Sequence, residues 1–192
     1  GDLRPSRQRG AAMSLPADLL PACQFSERHQ RQCRATPAAL IAAVPRVQPQ
    51  SLPLVRGLLQ LRELPARLLR DPARQGRALF GLHEFTLLHR DEHSLALGLA
   101  GCFWRRDFGL ASIADADGFR AFAEPGVPKL LLTFQAQAHA GGSLLCTETR
   151  VNCPDRASRL RFWPYWLAIR LASGLIRRQM LAAIERAARE AG

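Results

Sequence analysis

Lys129–Cys153, KLLLTFQAQAHAGGSLLCTETRVNC, has the pattern of a β-hairpin. Two strand-like segments, Lys129–Ala138 and Ser143–Cys153, flank His139–Gly142, HAGG. Glycine supplies the positive φ that a tight turn between two strands needs. The stretch therefore predicts two neighbouring antiparallel strands.

The segment that follows, Pro154–Ala191, predicts the longest helix of the chain. Most of its arginines lie outside one stripe that faces a single side of the helix. That stripe consists of Trp166, Ile169, Ser173, Ile176, Met180, Ile184 and Ala187. Unbroken, this helix would be about 57 Å long at 1.5 Å per residue. A compact domain of this size is only about 40 Å across. We therefore expect the helix to bend or stop at Pro164 or at Ser173-Gly174, where its hydrogen-bond ladder is weakest.

Upstream of the hairpin, the chain predicts further strands and only short helices. A second hairpin is expected from Phe85–His89 and Ser94–Trp104, joined by a polar turn. The remaining expected elements are a strand at Gln24–Cys33, a short helix at Pro37–Val44, an amphipathic helix over Leu54–Leu61 within a helical flap, and a short helix at Asp115–Phe122. This order predicts an α+β domain in which an antiparallel sheet packs against the C-terminal helix. We assign residues 1–20 to a flexible leader and 21–192 to a single domain.

Composition limits the class of protein. The 192 residues are 47% hydrophobic and carry 27 Lys plus Arg against 16 Asp plus Glu, a net charge of +11. That apolar content argues against extensive disorder, and no apolar run reaches the roughly 20 residues of a membrane span. The charge would suit a nucleic-acid or anionic-membrane partner. Because the arginines are scattered and no zinc-finger, RNP-like or helix-turn-helix pattern occurs, a nucleic-acid partner is disfavoured.

The five cysteines, Cys23, Cys33, Cys102, Cys146 and Cys153, indicate a reducing compartment. Their number is odd and no CxxC pair occurs, so we expect free thiols and a cytoplasmic protein. No metal site and no cofactor is expected either. His83, His89 and His93 lack Asp, Glu or Cys partners at a ligand spacing. No G-x-S-x-G nucleophile motif or glycine-rich phosphate loop occurs.

Several motifs together resemble bacterial members of the SRPBCC superfamily. The resemblance lies in Cys146–Val151 (CTETRV), Phe162, Tyr165-Trp166, Ile169 and Ser173–Arg178 (SGLIRR), with Phe103-Trp104, Phe119, Phe122 and Pro125-Gly126 also fitting. It covers roughly Phe25 to Ala188 in element order, although only the last half carries specific motifs. The chain departs from the pattern at Cys153, where an Asp usually caps the last helix, and at Pro164.

The resemblance implies a helix-grip fold, in which a curved antiparallel sheet wraps around a long, bent C-terminal helix and leaves a hydrophobic cavity between them. It does not imply one activity, since the superfamily binds lipids, sterols, hormones and polyketides and only some members catalyse reactions. We expect a binding or carrier protein for an apolar small molecule. The alternatives are a cyclase- or hydrolase-type enzyme that uses the same cavity with one acid/base group, and a basic interaction module without a cavity ligand.

Candidate site residues follow from this hypothesis. Alternate residues of the apolar strands share one face, so Leu97, Leu99, Leu130 and Leu132 line the cavity if that face points inward, a parity that the sequence leaves open. The aromatic residues are expected near the mouth of the cavity. Glu148 and Arg150, two apart on a strand, would form a polar anchor or else a solvated ion pair. The candidate ligand-binding residues are Leu97, Leu99, Phe103, Trp104, Leu130, Leu132, Glu148, Arg150, Tyr165, Trp166 and Ile169. For the enzyme alternative, Glu148 and Tyr165 are the catalytic candidates.

Overall fold

The structure, a computed structural model, describes residues 15–47, 84–105 and 109–191, and of residues 168, 169 and 171–173 it describes the backbone alone. The helix expected over Leu54–Leu61, the surrounding helical flap and His83 lie outside the described residues, as does the side chain of Ile169.

Five antiparallel strands form one unclosed sheet. They are β1 (Phe25–Cys33), β2 (Thr86–Arg90), β3 (Ser94–Ala100), β4 (Lys129–His139) and β5 (Gly142–Asn152), in the spatial order β1-β5-β4-β3-β2. Three α-helices are bounded within the described residues: α1 (Pro37–Ala43), α2 (Ala116–Ala121) and α3 (Arg156–Glu190). The expected α+β class, with an antiparallel sheet and a long C-terminal helix, is confirmed.

The β4-β5 hairpin forms as its sequence predicts. Its turn is Ala140-Gly141, with Gly141 at φ 77°, a left-handed conformation that favours glycine. The following Gly142 is also required, because a Cβ there would overlap the carbonyl oxygen of Cys33 at the end of β1. The register pairs Leu132 with Thr149, which fixes which side chains share a face of the sheet.

Side-chain caps begin all three helices. Thr36, Asp115 and Asp155 each accept a hydrogen bond from a backbone N–H in the first turn that follows. The α3 cap corrects one expectation, because the aspartate cap that seemed replaced at Cys153 is present as Asp155, which accepts from Ser158 N at 2.7 Å. Of the two outcomes expected at Pro164, a bend or a stop, the stop is excluded, since α3 runs through it as one 35-residue helix.

The sheet has two covered faces. The inner face packs against α1 and α3, and the outer face is covered by α2 and by a helical turn at residues 15–19. Leu19 and Leu20 are buried on the outer face with Phe119 and Leu131. The packed part of the chain therefore starts before residue 21, the boundary that the sequence predicts.

The inner-face core consists of two groups of buried side chains. The aliphatic cluster contains Leu40, Ile41, Leu95, Leu97, Leu132, Phe134, Leu145, Met180, Leu181 and Ile184, with smaller neighbours. The aromatic cluster contains Phe25, Leu99, Phe103, Val151, Cys153, Phe162 and Trp166. Along α3, the aromatic cluster takes the N-terminal part and the aliphatic cluster the C-terminal part, so the middle of the helix lies between them.

Two further features bear on the class of protein. All five cysteines are free thiols. Along the described parts of the chain, no helix combines the length and the apolarity that a membrane crossing requires.

Candidate functional site

A layer of polar side chains separates the two apolar clusters on the inner face. β5 contributes Thr147 and Thr149, between Leu145 of the aliphatic cluster and Val151 of the aromatic cluster. The register pairs Thr149 with Glu27 and Thr147 with His29 on β1, so all four side chains share one face. Together with Arg177 of α3, these residues are called the polar layer below.

Arg177 closes the polar layer from the helix side. Its Nη2 donates a hydrogen bond of 2.6 Å to Thr149 Oγ1. Desolvation of the guanidinium lowers the pKa of Arg177 to about 10, although the charge of Glu27 acts in the opposite direction. The residue nevertheless keeps solvent-accessible surface. Arg177 is therefore a cation held between helix and sheet, with Thr149 as a hydrogen-bond partner.

Two other buried polar atoms near the middle of α3 lack a hydrogen-bond partner among the described residues. One is Oγ1 of Thr147, a residue that is 1% exposed, and the other is Oε1 of Gln179 on α3. Buried polar groups are usually hydrogen-bonded, because desolvation without a partner costs about 1–3 kcal/mol. The hydroxyl of Thr147 therefore leaves a hydrogen-bonding valence of the polar layer unused.

His29 and Glu27 form a pair at the side of the layer. His29 Nε2 lies 2.7 Å from Glu27 Oε1, and the two side chains are 22% and 14% exposed. α3 passes directly over this pair, since a Cβ added to Gly174 would lie 3.7 Å from His29 Cε1. The carboxylate orients the imidazole and also balances the charge of Arg177.

The apolar candidate residues lie where the sequence predicts. Leu97 pairs with Leu132 and Leu99 with Leu130, which puts all four on the inner face that α3 covers. Leu97, Leu99 and Leu132 are buried, and Leu130 keeps some exposure. The register thus settles the strand parity, which the sequence leaves open, in favour of these four leucines facing inward.

The structure also brings the aromatic candidates together. Phe103, Trp104, Tyr165 and Trp166 surround Phe162, with ring centroids between 5.6 and 6.4 Å from its own. Phe103 and Trp166 are buried, whereas Trp104 and Tyr165 are half-buried. This set extends the apolar wall of the inner face to the N-terminal part of α3.

Glu148 and Arg150 do not face this space. The register pairs Glu148 with Thr133 and Arg150 with Leu131, which lie on the outer face. Glu148 Oε1 accepts a hydrogen bond from Arg150 Nε at 2.6 Å, and Arg150 also donates to the carbonyl oxygen of Leu20. The pair thus holds the N-terminal segment against the outer face. Tyr165 belongs to the opposite side of the sheet, so Glu148 and Tyr165 do not form one site.

Sequence reasoning missed the polar layer because its members are ordinary residues taken singly. Threonine is common in strands, and Arg177 is one of two adjacent arginines in a helix with many. The available signal was parity: if Leu130 and Leu132 face inward, Thr147 and Thr149 do so across the hairpin, and Glu148 cannot.

Among the described residues, no three His, Cys, Asp or Glu side chains lie close enough together to bind a metal ion. Of the expected surface histidines, His89 bonds to Asp91 at 2.8 Å in the β2-β3 turn.

Comparison with known proteins finds no matching family model and no matching curated protein. Among solved structures, the chain is similar to the crystal structure of TTHA0849 from Thermus thermophilus, with a TM-score of 0.33 and 10% sequence identity. The similarity covers 88% of this chain and 99% of that one. A score at this level carries no argument about fold or function.

Proposed function

We propose that this protein binds an amphipathic small molecule with an acidic group between the inner face of the sheet and the middle of α3. The apolar body of the ligand lies against the leucines of β3 and β4, and its carboxylate lies at Arg177. A fatty acid or a polycyclic aromatic acid has this chemistry. Binding of an apolar small molecule is one of the activities that the SRPBCC resemblance allows, and the free cysteines suit a cytoplasmic location.

The observation that carries the proposal is the state of Arg177 and its neighbours. The guanidinium is desolvated, yet Thr149 is its hydrogen-bond partner among the described residues. Thr147 Oγ1 is buried without a partner on the same face of β5. A carboxylate accepts hydrogen bonds from a guanidinium and from a hydroxyl at once, and charge-assisted bonds of this kind are the stronger class.

Accessibility supports a space beside Arg177. The charged end of Arg177 is desolvated while the residue keeps accessible surface, and we take this combination as support for a space beside it. Leu130 of the apolar wall also keeps some exposure, although its neighbours Leu131 and Leu132 do not. Ligand sites of this kind combine an apolar lining with few polar groups that fix orientation.

The strength of binding follows from the same groups. We expect a micromolar dissociation constant, about −8 kcal/mol, for a medium-chain fatty acid. Hydrogen bonds to a charged group contribute about 1.5–3 kcal/mol, so the acid should bind about ten- to a hundredfold more tightly than an equally long alcohol.

Isothermal titration calorimetry with dodecanoic acid and with 1-dodecanol tests this proposal. Arg177→Gln should weaken binding of the acid to the level of the alcohol and leave the alcohol unchanged. Arg178→Gln is the matched control, because Arg178 is the next residue of α3 but is exposed. Equal affinity of the wild type for acid and alcohol, or equal losses in the two variants, would contradict the proposal.

Thr147→Val provides a second variant that keeps the shape of the side chain. Removal of an unpaired buried hydroxyl does not threaten folding, so this variant remains informative if Arg177→Gln is unstable. We expect about a fivefold loss of affinity for the acid and none for the alcohol, since a neutral hydrogen bond contributes about 1 kcal/mol. An unchanged acid affinity would exclude Thr147 from the site.

A cyclase- or hydrolase-type enzyme is the second candidate, and the pair His29–Glu27 favours it. An imidazole held by a carboxylate at 2.7 Å is arranged as a general base. Such an enzyme would use His29 instead of Glu148 and Tyr165. Turnover of a panel of aromatic esters and lactones that His29→Ala abolishes, with acid binding retained, would favour the enzyme over the carrier.

A further inference from the structure

The solvent side of α3 carries an unpartnered apolar stripe. Six large hydrophobic side chains are strongly exposed in the described part of the chain, and four of them lie on this helix. They are Leu160 (63% exposed), Trp163 (57%), Leu167 (49%) and Leu175 (51%). Their spacings of three, four and eight residues put them on one side, away from the buried Phe162 and Trp166. These four residues are called the solvent stripe.

Positive charge surrounds the solvent stripe. Seven exposed arginines lie along the same helix: Arg156, Arg159, Arg161, Arg170, Arg178, Arg186 and Arg189. No Asp or Glu occurs between Asp155 and Glu185. An exposed row of Leu and Trp flanked by arginines is the pattern of a helix that lies in the plane of a membrane interface. Tryptophan is enriched at that depth, because its ring is amphipathic.

We propose that the solvent stripe and its arginines dock the protein on the surface of an anionic lipid bilayer, with α3 parallel to the membrane plane. The leucines and Trp163 enter the boundary between headgroups and acyl chains, and the arginines contact lipid phosphates. This proposal does not depend on the ligand site, because none of the four stripe residues belongs to the polar layer.

Other occupants fit the surface less well. A nucleic acid would satisfy the arginines but would leave the apolar row against phosphates. A second copy of the chain would bring two rows of arginines together, which like-charge repulsion disfavours. An acidic protein surface would satisfy the charges but would leave the apolar row uncovered.

Co-sedimentation with lipid vesicles tests the proposal. The full chain should bind vesicles made of equal parts of phosphatidylcholine and phosphatidylglycerol, and should bind pure phosphatidylcholine vesicles much more weakly. The double variant Leu160→Ser/Trp163→Ser should lose at least about tenfold in partition coefficient, because its apolar area no longer enters the interface. Leu87→Ser/Leu110→Ser is the matched control, since both leucines are exposed but lie elsewhere.

A charge variant tests the second component of the surface. Arg159→Gln/Arg161→Gln should weaken binding by about fivefold for each arginine, and added salt should weaken the wild type more than this variant. Equal binding to neutral and anionic vesicles would overturn the proposal, as would equal losses in the stripe variant and its control.

Tryptophan fluorescence tests whether Trp163 itself enters the bilayer. The difference between the wild-type and Trp163→Phe spectra reports Trp163, and its emission should shift to the blue when anionic vesicles are added. A Trp163 signal that is already blue-shifted in the free protein would show that the chain covers the stripe itself, which contradicts docking. If the wild type dimerises and Leu160→Ser/Trp163→Ser does not, the surface binds a second copy of the chain instead. If the wild type binds a DNA duplex and this variant binds it equally well, the surface binds nucleic acid instead.

Discussion

The inner face of the sheet has two halves of opposite character. The half on β3 and β4 is wholly apolar and consists of Leu95, Leu97, Leu99, Leu130, Leu132, Phe134 and Ala136. The half on β1 and β5 carries Glu27, His29, Thr147 and Thr149 at its centre, under Arg177. Both halves are buried under helices, since α3 packs on β1 and β5 and α1 packs on β4 and β5, so burial alone does not account for the contrast.

The two halves contribute to the free energy of folding with opposite signs. Full burial of a leucine or phenylalanine stabilises the fold by about 1.5–3 kcal/mol. A buried hydroxyl without a partner and a desolvated guanidinium with few partners both oppose folding. A polar layer that weakens the core is best explained by a use other than folding, and local conflicts of this kind are expected at functional sites.

The apolar half should dominate stability. Phe134 is fully buried at the centre of β4, so Phe134→Ala should lower the free energy of unfolding by about 3–5 kcal/mol. Leu87→Ala is the control, because Leu87 is 53% exposed and should change stability by less than about 0.5 kcal/mol. Urea unfolding monitored by circular dichroism measures both. Comparable losses in the two variants would show that β4 is not the core strand described here.

The polar half should respond in the opposite direction. Thr147→Val replaces a buried, unpartnered hydroxyl by a methyl group and should raise the free energy of unfolding by about 1 kcal/mol. Thr149→Val is the matched comparison on the same strand, and it should destabilise because it removes the hydrogen bond to Arg177. If Thr147→Val also destabilises, its hydroxyl is paired in the folded protein and the contrast between the halves weakens.

A smaller, pH-dependent effect belongs to the turn of the β2-β3 hairpin beside the apolar half. Burial raises the pKa of Asp91, but hydrogen bonds from His89, His93 and Ser94 outweigh it and lower the value from 3.8 to about 2. A lowered carboxyl pKa stabilises the folded state above pH 3.8, and this contribution is lost as the pH falls towards about 2.

Asp91→Asn should therefore flatten the decline of stability in that acid range. Asp18→Asn is the control, since Asp18 is exposed and lies in another part of the chain. Thermal unfolding measured across the acid range compares the three proteins. If the melting temperatures of the wild type and Asp91→Asn fall in parallel with pH, Asp91 does not contribute to the pH dependence of stability.

Sequence alone predicts the elements well because each one is a local pattern. The glycine turn, the alternation of β4 and β5, and the Thr36-Pro37 helix start depend on neighbouring residues, and all three are confirmed. The sequence leaves open whether α3 bends or stops at Pro164, and the helix continues because tertiary packing on both sides of the proline overrides its local penalty.

The site is harder to predict than the fold because its residues are distant in sequence. Glu27, Thr149 and Arg177 come from three elements and meet only through the strand register and the course of α3. Glu148 and Arg150 attracted attention as charged neighbours, yet alternation along β5 turns them to the outer face. The apolar wall was predictable, since period-two patterns directly indicate a buried face.

The position of the ligand carboxylate tests the central claim most directly. Dodecanoic acid labelled with carbon-13 at its carboxyl group reports its own ionisation by NMR, free and bound. Beside Arg177, the bound acid should have a pKa below that of the free acid, and Arg177→Gln should raise it above the free value, since burial then acts alone. A bound pKa that is the same in the wild type, Arg177→Gln and Arg178→Gln would show that the acid group does not lie at Arg177.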